Sequence, residues 1–381
     1  MDFDFTWLLW GLPVAFGLGW IASRLDLRQW RIESRQAPKA YFRGLNHLLN
    51  EQQDQAIDAF IEAVQGDPDT AELHFALGNL FRRRGDYDRA VRVHEHLLSR
   101  DDLNRKDRDR AQHALALDFL KAGLLDRAES ALLKLQGSTF EGDALQALLA
   151  IYERSRDWPQ AKAIALRLDE VEQGSYNTRI AHYLCEEAEQ AQRAGDNALA
   201  RERLDEAVRR APQVARAWMA LSGLKAQAGD AEGAFEALTR LVAQAPQAVP
   251  LAAAPLAELG RQTGRQADAM RLLQACDDRA PSIDITEALA SLEDDPARAR
   301  ERYLKHLDRE KSLVLATNWL AEEPLGDPQA KPRIQAALEQ ASAPLKRYRC
   351  AACGFEARQH FWHCPGCQAW DSYPARRVEE I

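Results

Sequence analysis

Hydrophobic positions fall along this chain in two different patterns. From Phe5 to Ser23 there is no charged residue, and the stretch is rich in Leu, Trp, Phe and Val. Roughly 20 mostly apolar residues suffice for a membrane-spanning helix. Asp2 and Asp4 precede the stretch, and Arg24, Arg28, Arg31 and Arg35 follow it. Basic flanks stay on the cytoplasmic side, so the bulk of the chain is expected there, behind a single-pass anchor over residues 1–23 and a linker over 24–36. A cleaved signal peptide fits less well: the start is acidic, and bulky Trp20 stands close to Ala22, the last residue that cleavage would remove. Gly11, Ala15 and Gly19 recur every four residues, a small-residue face on which membrane helices pack closely. Beyond residue 36 the apolar positions take helical spacing and repeat.

The period of that repetition is near 34 residues. Repeats starting at Ala37 and Ala71 put Gly44 and Gly78 eighth and Ala56 and Ala90 twentieth, with Phe60 twenty-fourth in the first copy. Later copies carry Gly123 with Ala128, Gly195 with Ala200, Gly229 with Ala234 and Gly264 with Ala269, read as the small residues of helix–helix contacts. Ala161 marks a weaker copy; Pro212, Pro246 and Pro281 close three copies, and Trp218 takes the fourth position of another. The pattern resembles the tetratricopeptide repeat. Small residues let two antiparallel helices approach, a glycine ends the first and a proline stops the second. Stacked pairs then share one core and curl into a superhelix. An all-α solenoid is expected over 37–282. Degenerate helical repeats follow over 283–343, with Glu287-Ala288-Leu289 and Tyr303-Leu304 on apolar faces.

Resemblance to this repeat family implies that Phe75, Asn79 and Arg82 face the concave surface. With Arg83 they form a candidate patch for an extended peptide or a carboxylate, against the plainer reading of a solvated helix face.

Four cysteines near the C-terminus change the picture. Cys350 and Cys353, and Cys364 and Cys367, form two Cys-x-x-Cys knuckles with ten residues between them, the arrangement of a tetrahedral metal site. Gly354 and Gly366 are expected to supply the unusual backbone angles of the two turns. In a reducing compartment, paired cysteines more often hold metal than form disulfides. Zinc is favoured and iron is the alternative: the knuckles look like those of rubredoxin, with a much shorter spacing between pairs than an electron-transfer rubredoxin has. A rubredoxin-like metal-binding domain is therefore expected over 344–381. Tyr348, Phe355, Phe361, Trp362 and Trp370 should cover it and dock it onto the final helices. Cys185 and Cys276 read as buried, unreactive thiols.

Charge and composition narrow the function. The 381-residue chain has a formal net charge of −8 and a pI near 5.7, which argues against a nucleic-acid partner. His94-Glu95-His96 lacks the spacing of a metalloprotease motif, and no phosphate loop or serine elbow is present, so an enzyme is not expected.

An anchor, a repeat array and a rubredoxin-like knuckle in this order resemble the lipopolysaccharide assembly protein B family over essentially the whole chain. Leu77-Gly78-Asn79-Leu80-Phe81-Arg82, Arg347-Tyr348-Arg349-Cys350, Cys353-Gly354-Phe355 and Trp362-His363-Cys364-Pro365 carry the likeness. The resemblance implies an adaptor at the bacterial inner membrane that regulates lipopolysaccharide synthesis. It would present the deacetylase LpxC to the protease FtsH and coordinate other assembly proteins. Two further readings remain open at this stage, a membrane-bound rubredoxin-like electron-transfer protein and a general peptide-docking scaffold. Self-association is left open as well.

Overall fold

Close approach of paired helices requires a missing side chain, and the first two repeats show how. A Cβ on Gly44 would stand 3.0 Å from the Phe60 ring, and one on Gly78 would stand 2.5 Å from Nε2 of His94. Each glycine lets the aromatic ring sixteen residues later lie against the helix backbone. The computed structural model describes residues 13–20, 39–67, 70–172, 176–323 and 330–381. It divides into two compact units, residues 1–156 and 157–381.

In the first unit a helix over 39–49 is followed by Gln53–Gly66, Ala71–Arg84, Tyr87–Ser99, Arg105–Lys121, Leu125–Leu133 and Glu141–Ser155. Its core runs between neighbouring helices: Ala56, Ile57, Phe60, Leu77, Leu80, Phe81 and Ala90 form one cluster, and Phe75, Leu97, Leu103 and Ala111 form the next. Gly85, at φ +88°, ends Ala71–Arg84 and donates its N–H back to that helix, the left-handed cap for which glycine is suited.

Gly123, Gly195, Gly229 and Gly264 do the same, with φ between +69° and +82°, and a Cβ on any of them would meet nothing within 4 Å. They are turn residues, which corrects their reading as packing residues. Ala116, Ala188, Ser222 and Ala257, twelve residues before the fully buried Ala128, Ala200, Ala234 and Ala269, are themselves buried; Ser222 Oγ donates to Ala234 O at 3.0 Å, and a Cβ on Gly260 would stand 2.8 Å from that of Ala269.

In the second unit the helices are Trp158–Glu172, Asn177–Arg193, Asn197–Arg210, Ala215–Gln227, Ala231–Gln244, Val249–Gln262, Gln266–Arg279, Ile283–Ser291, Pro296–Arg309, Leu313–Glu322 and Ala330–Ser342. Helix pairing thus persists after Pro281, where the small-residue register fades. Ile283, Val314 and Leu315 hold that part, with Tyr303, Leu307 and Leu345 against them. Ala288 and Leu289 are buried as expected, whereas Leu304 is 45% exposed and faces away from the core. The chain then leaves the helices for a two-stranded antiparallel ladder that pairs Tyr348 with Ala357 and Arg349 with Glu356.

Most of the expected span Phe5–Ser23, the linker 24–36 and Gly11 lie outside the described residues. Residues 13–20 are helical, with Val14, Phe16, Leu18 and Trp20 exposed, and Ala15 and Gly19 on open surface. Among the described residues no helix is long and apolar enough to cross a membrane.

Candidate metal centre

Strand Tyr348–Arg349 delivers Cys350 into a tight turn: Gly354 N donates to Cys350 O at 2.9 Å, and Cys350 N donates to Phe355 O at 2.9 Å. The second knuckle repeats the device, with Gln368 N on Cys364 O and Cys364 N on Ala369 O, both at 2.9 Å. In each turn the residue after the second cysteine turns left-handed, Gly354 at φ +77° and Gln368 at φ +60°. Gly366 does not, correcting its expected role. Gln368 is held there by its own side chain on Pro365 O and by His363 against its carbonyl.

The two turns bring together all four cysteines expected from the spacing. Their Sγ atoms lie within 4.8 Å of one another, with Cys350–Cys367 at 3.8 Å and Cys353–Cys364 at 3.7 Å. A tetrahedron with metal–sulfur bonds of about 2.3 Å has edges of about 3.8 Å, so the cage fits an ion.

Its electrostatics also suit a cation. Burial works against a thiolate at Cys350, yet the Ser372 hydroxyl, 3.2 Å away, and the N–H groups of Cys353 and Ala352 hold this thiol down at about 6. Cys364 is lowered in the same way, against burial, by the N–H groups of Cys367 and Gly366. At Cys353 the Phe355 N–H favours the thiolate, but burial and the three neighbouring sulfurs push the group up to about 12. Cys367 rises too: against the Ala369 N–H, burial and the sulfurs of Cys364 and Cys350 outweigh the lowering contribution of Cys353. Four sulfurs this close cannot all ionise without a positive charge among them.

Tyr348 and Tyr373 close the cage from one side together with Cys350 and Cys364, and Phe361 and Leu251 pack against this cluster. Tyr373 and Ser372 were missed by sequence reasoning, which weighed the aromatic residues nearer the cysteines. Phe355, expected as a cover, is 45% exposed.

Docking goes mainly to an earlier helix than expected. Trp370 stacks on His182 of Asn177–Arg193 with ring centroids 4.9 Å apart, and meets Trp158 and Tyr183 edge-on. The chain beyond Tyr373 does reach the late helices. Arg377 grips Asp284 through two hydrogen bonds of 2.6 and 2.9 Å and lies over the Tyr348 ring. The Glu379 carboxylate accepts from the N–H groups of Leu313 and Val314, and Glu380 from that of Ile283, so two tail carboxylates cap two helix N-termini.

Residues 348–373 match the family described as a rubredoxin metal binding domain, and 73–106 and 185–249 match tetratricopeptide repeat families. Lipopolysaccharide assembly protein B of Escherichia coli (strain K12) is 31% identical, over 97% of this chain and 98% of its own. The chain belongs to the lipopolysaccharide assembly protein B family. The Haemophilus influenzae protein of that name is 26% identical over 95% of this chain and 96% of its own. A tetratricopeptide repeat protein from Parabacteroides merdae, known by crystal structure, overlays 68% of this chain and 98% of its own at 14% identity, with a TM-score of 0.34.

Within this member of the family, the residues expected to form a concave binding patch do not share an open face. Phe75 is 1% exposed and covered by the Arg110 guanidinium, 4.1 Å from its centroid, which corrects its expected role as a contact residue. Arg82 turns inward: its guanidinium binds Asp118 Oδ1 at 2.7 Å, Ala114 O at 3.2 Å and Asn79 Oδ1 at 2.5 Å. Asp118 is fully buried and also bonds His94 Nδ1 at 2.5 Å. Arg83 alone of the four is exposed.

Proposed function

We propose that this protein is an inner-membrane adaptor that regulates lipopolysaccharide synthesis by presenting the deacetylase LpxC to the protease FtsH. The observation that carries the reading is the correspondence with lipopolysaccharide assembly protein B over 97% of the chain, repeats and four-cysteine module included. A helical-repeat scaffold suits protein capture. Phe5–Ser23 serves as the anchor, with Gly11, Ala15 and Gly19 available to a partner helix in the bilayer. Tethering client and protease in one plane raises their effective concentration without new contacts.

The metal is zinc in this reading, held by Cys350, Cys353, Cys364 and Cys367, and its role is structural. When bound, it neutralises the thiolates and fixes the fold of a segment with little core of its own. The test is the lifetime of LpxC after synthesis is blocked, in cells whose only copy of the adaptor is this chain. Rapid loss of LpxC supports the proposal, whereas a lifetime equal to that in adaptor-free cells overturns it. Elemental analysis of the purified protein decides the metal, with one zinc per chain expected.

A further inference from the structure

Between the metal module and the repeats of the second unit lies a cavity of about 490 Å³, and a second of about 270 Å³ adjoins it, Gln247 and Arg376 lining both. Together they have the size of a binding cleft. Its floor is periodic: Thr178, Gln213 and Gln247 occur 35 and then 34 residues apart, one per repeat. Gln213 Nε2 donates to Thr178 Oγ1 at 3.2 Å, linking two rungs, and both glutamines are exposed. A side-chain amide offers both donor and acceptor, as a peptide backbone requires. Packed helices lie about 8–10 Å apart and an extended chain advances about 3.3 Å per residue, so successive rungs meet about every third peptide residue.

The roof belongs to the metal module. Trp362 supplies aromatic surface, with the buried Tyr373 behind it, and Arg376 supplies charge. Arg377 is committed to Asp284, whereas no carboxylate among the described residues lies within ion-pair distance of Arg376. Asp371 also lines the cavity, but its carboxylate meets His182 Nε2 at 2.8 Å. The larger cavity thus presents Arg376, a guanidinium outside any ion pair among the described residues, beside the Trp362 ring and the two glutamine amides.

We propose that this cleft binds an extended segment of a partner protein. The peptide main chain lies along Thr178, Gln213 and Gln247, an apolar side chain packs on Trp362, and a carboxylate pairs with Arg376. This deepens the adaptor reading, on which it rests only for the claim that the peptide belongs to a client. It also ties capture to metal, because Trp362 and Arg376 are both carried by the module.

The test uses the purified, metal-loaded full chain in detergent. Fluorescence anisotropy is read with a labelled synthetic peptide of alternating Leu and Glu, and with its counterpart carrying Gln in place of Glu. The acidic peptide should bind about tenfold or more tightly than the Gln peptide, as a charge-assisted hydrogen bond warrants. Arg376→Glu should remove that preference, and Gln213→Ala with Gln247→Ala should weaken both peptides, with metal content and melting temperature unchanged. Equal binding of the two peptides, binding of neither, or wild-type affinity in both variants overturns the proposal. LpxC lifetime in cells is a separate readout, so the cleft and the adaptor reading can fail independently.

Discussion

Trp370 lies face to face with His182, 4.9 Å between ring centroids and 27° between planes, and the adjacent Asp371 bonds the same imidazole. His182 is fully buried, so the metal module covers a ring that belongs to the solenoid. Trp370→Ala removes this stack and the edge contacts with Trp158 and Tyr183. A fully buried Trp→Ala change costs about 3–5 kcal/mol, and Trp370 is only partly buried, so about 2 kcal/mol is expected. Metal binding and docking share the module's fold, and metal should therefore be lost to a chelator more readily. Urea unfolding and competition with a chromogenic chelator measure both effects; an unchanged chelator midpoint would show that docking and metal retention are uncoupled.

Gly78 touches His94 so closely that a methyl group cannot enter unless the ring moves, and Asp118 holds that ring from its other edge at 2.5 Å. Gly78→Ala should destabilise the first unit by about 1–3 kcal/mol, the range for overpacking. In a His94→Ala background the added methyl should cost much less, because the obstacle is gone. Equal costs in both backgrounds, measured as a double-mutant cycle, would exclude the ring as the cause.

Arg82 and Arg83 are neighbours with opposite fates. Arg82→Ala leaves the buried Asp118 with only His94, and should cost about 2–4 kcal/mol, somewhat under the range for stranding a buried charge. Arg83→Ala should stay within about 0.5 kcal/mol. Charge reversal at Arg82 is consequently a poor probe of partner capture, because a loss of binding would follow from a damaged fold. Comparing the denaturation midpoints of the two single variants checks the distinction.

The C-terminal tail works as a pair of caps. Glu379 accepts from two N–H groups of Leu313–Glu322 and from Ser312 Oγ at 2.6 Å. Glu379→Ala should destabilise the second unit by about 1–2 kcal/mol, the range for a lost N-cap with a charged acceptor. Glu379→Gln should lose less, since the amide oxygen still accepts. Thermal melts of the two variants give the order; a Gln variant as weak as the Ala variant would assign the whole effect to charge.

What the sequence made legible is what local spacing encodes. Cys350 to Cys367 spans eighteen residues, and the knuckles depend on turns within them, so ligand identity could be read directly. The repeat register likewise follows from contacts about sixteen residues apart, as between Gly44 and Phe60. Gly123 and Gly78 look alike in a sequence, however, and only the sign of φ separates a turn glycine from a packing glycine. Arg82 was misjudged because repeat position says where a side chain points, and not that Asp118, thirty-six residues on, stands buried in its path. Trp370 was assigned to the wrong helices for the same reason: His182 is 189 positions from Asp371, and no local pattern joins them.

Glu287 makes stability depend on acid. Burial and the nearby charge of Asp284 push the Glu287 carboxyl above its ordinary value, although Asn318 Nδ2 donates to it at 2.6 Å and Lys346 and Arg377 oppose the shift. Because the folded pKa lies above the unfolded one, ionising Glu287 opposes folding. The penalty is fully present above the folded pKa and vanishes below the unfolded value of about 4.5. Glu287→Gln keeps an oxygen for Asn318 and cannot ionise. Its melting temperature should exceed that of the parent at pH 7, and the difference should close as pH falls toward about 4.5. Taking the difference between two proteins under the same conditions cancels acid release of the metal, which affects both alike. A variant less stable than the parent at pH 7 would mean that the attraction of Arg377 and Lys346 for the charged carboxylate outweighs its burial.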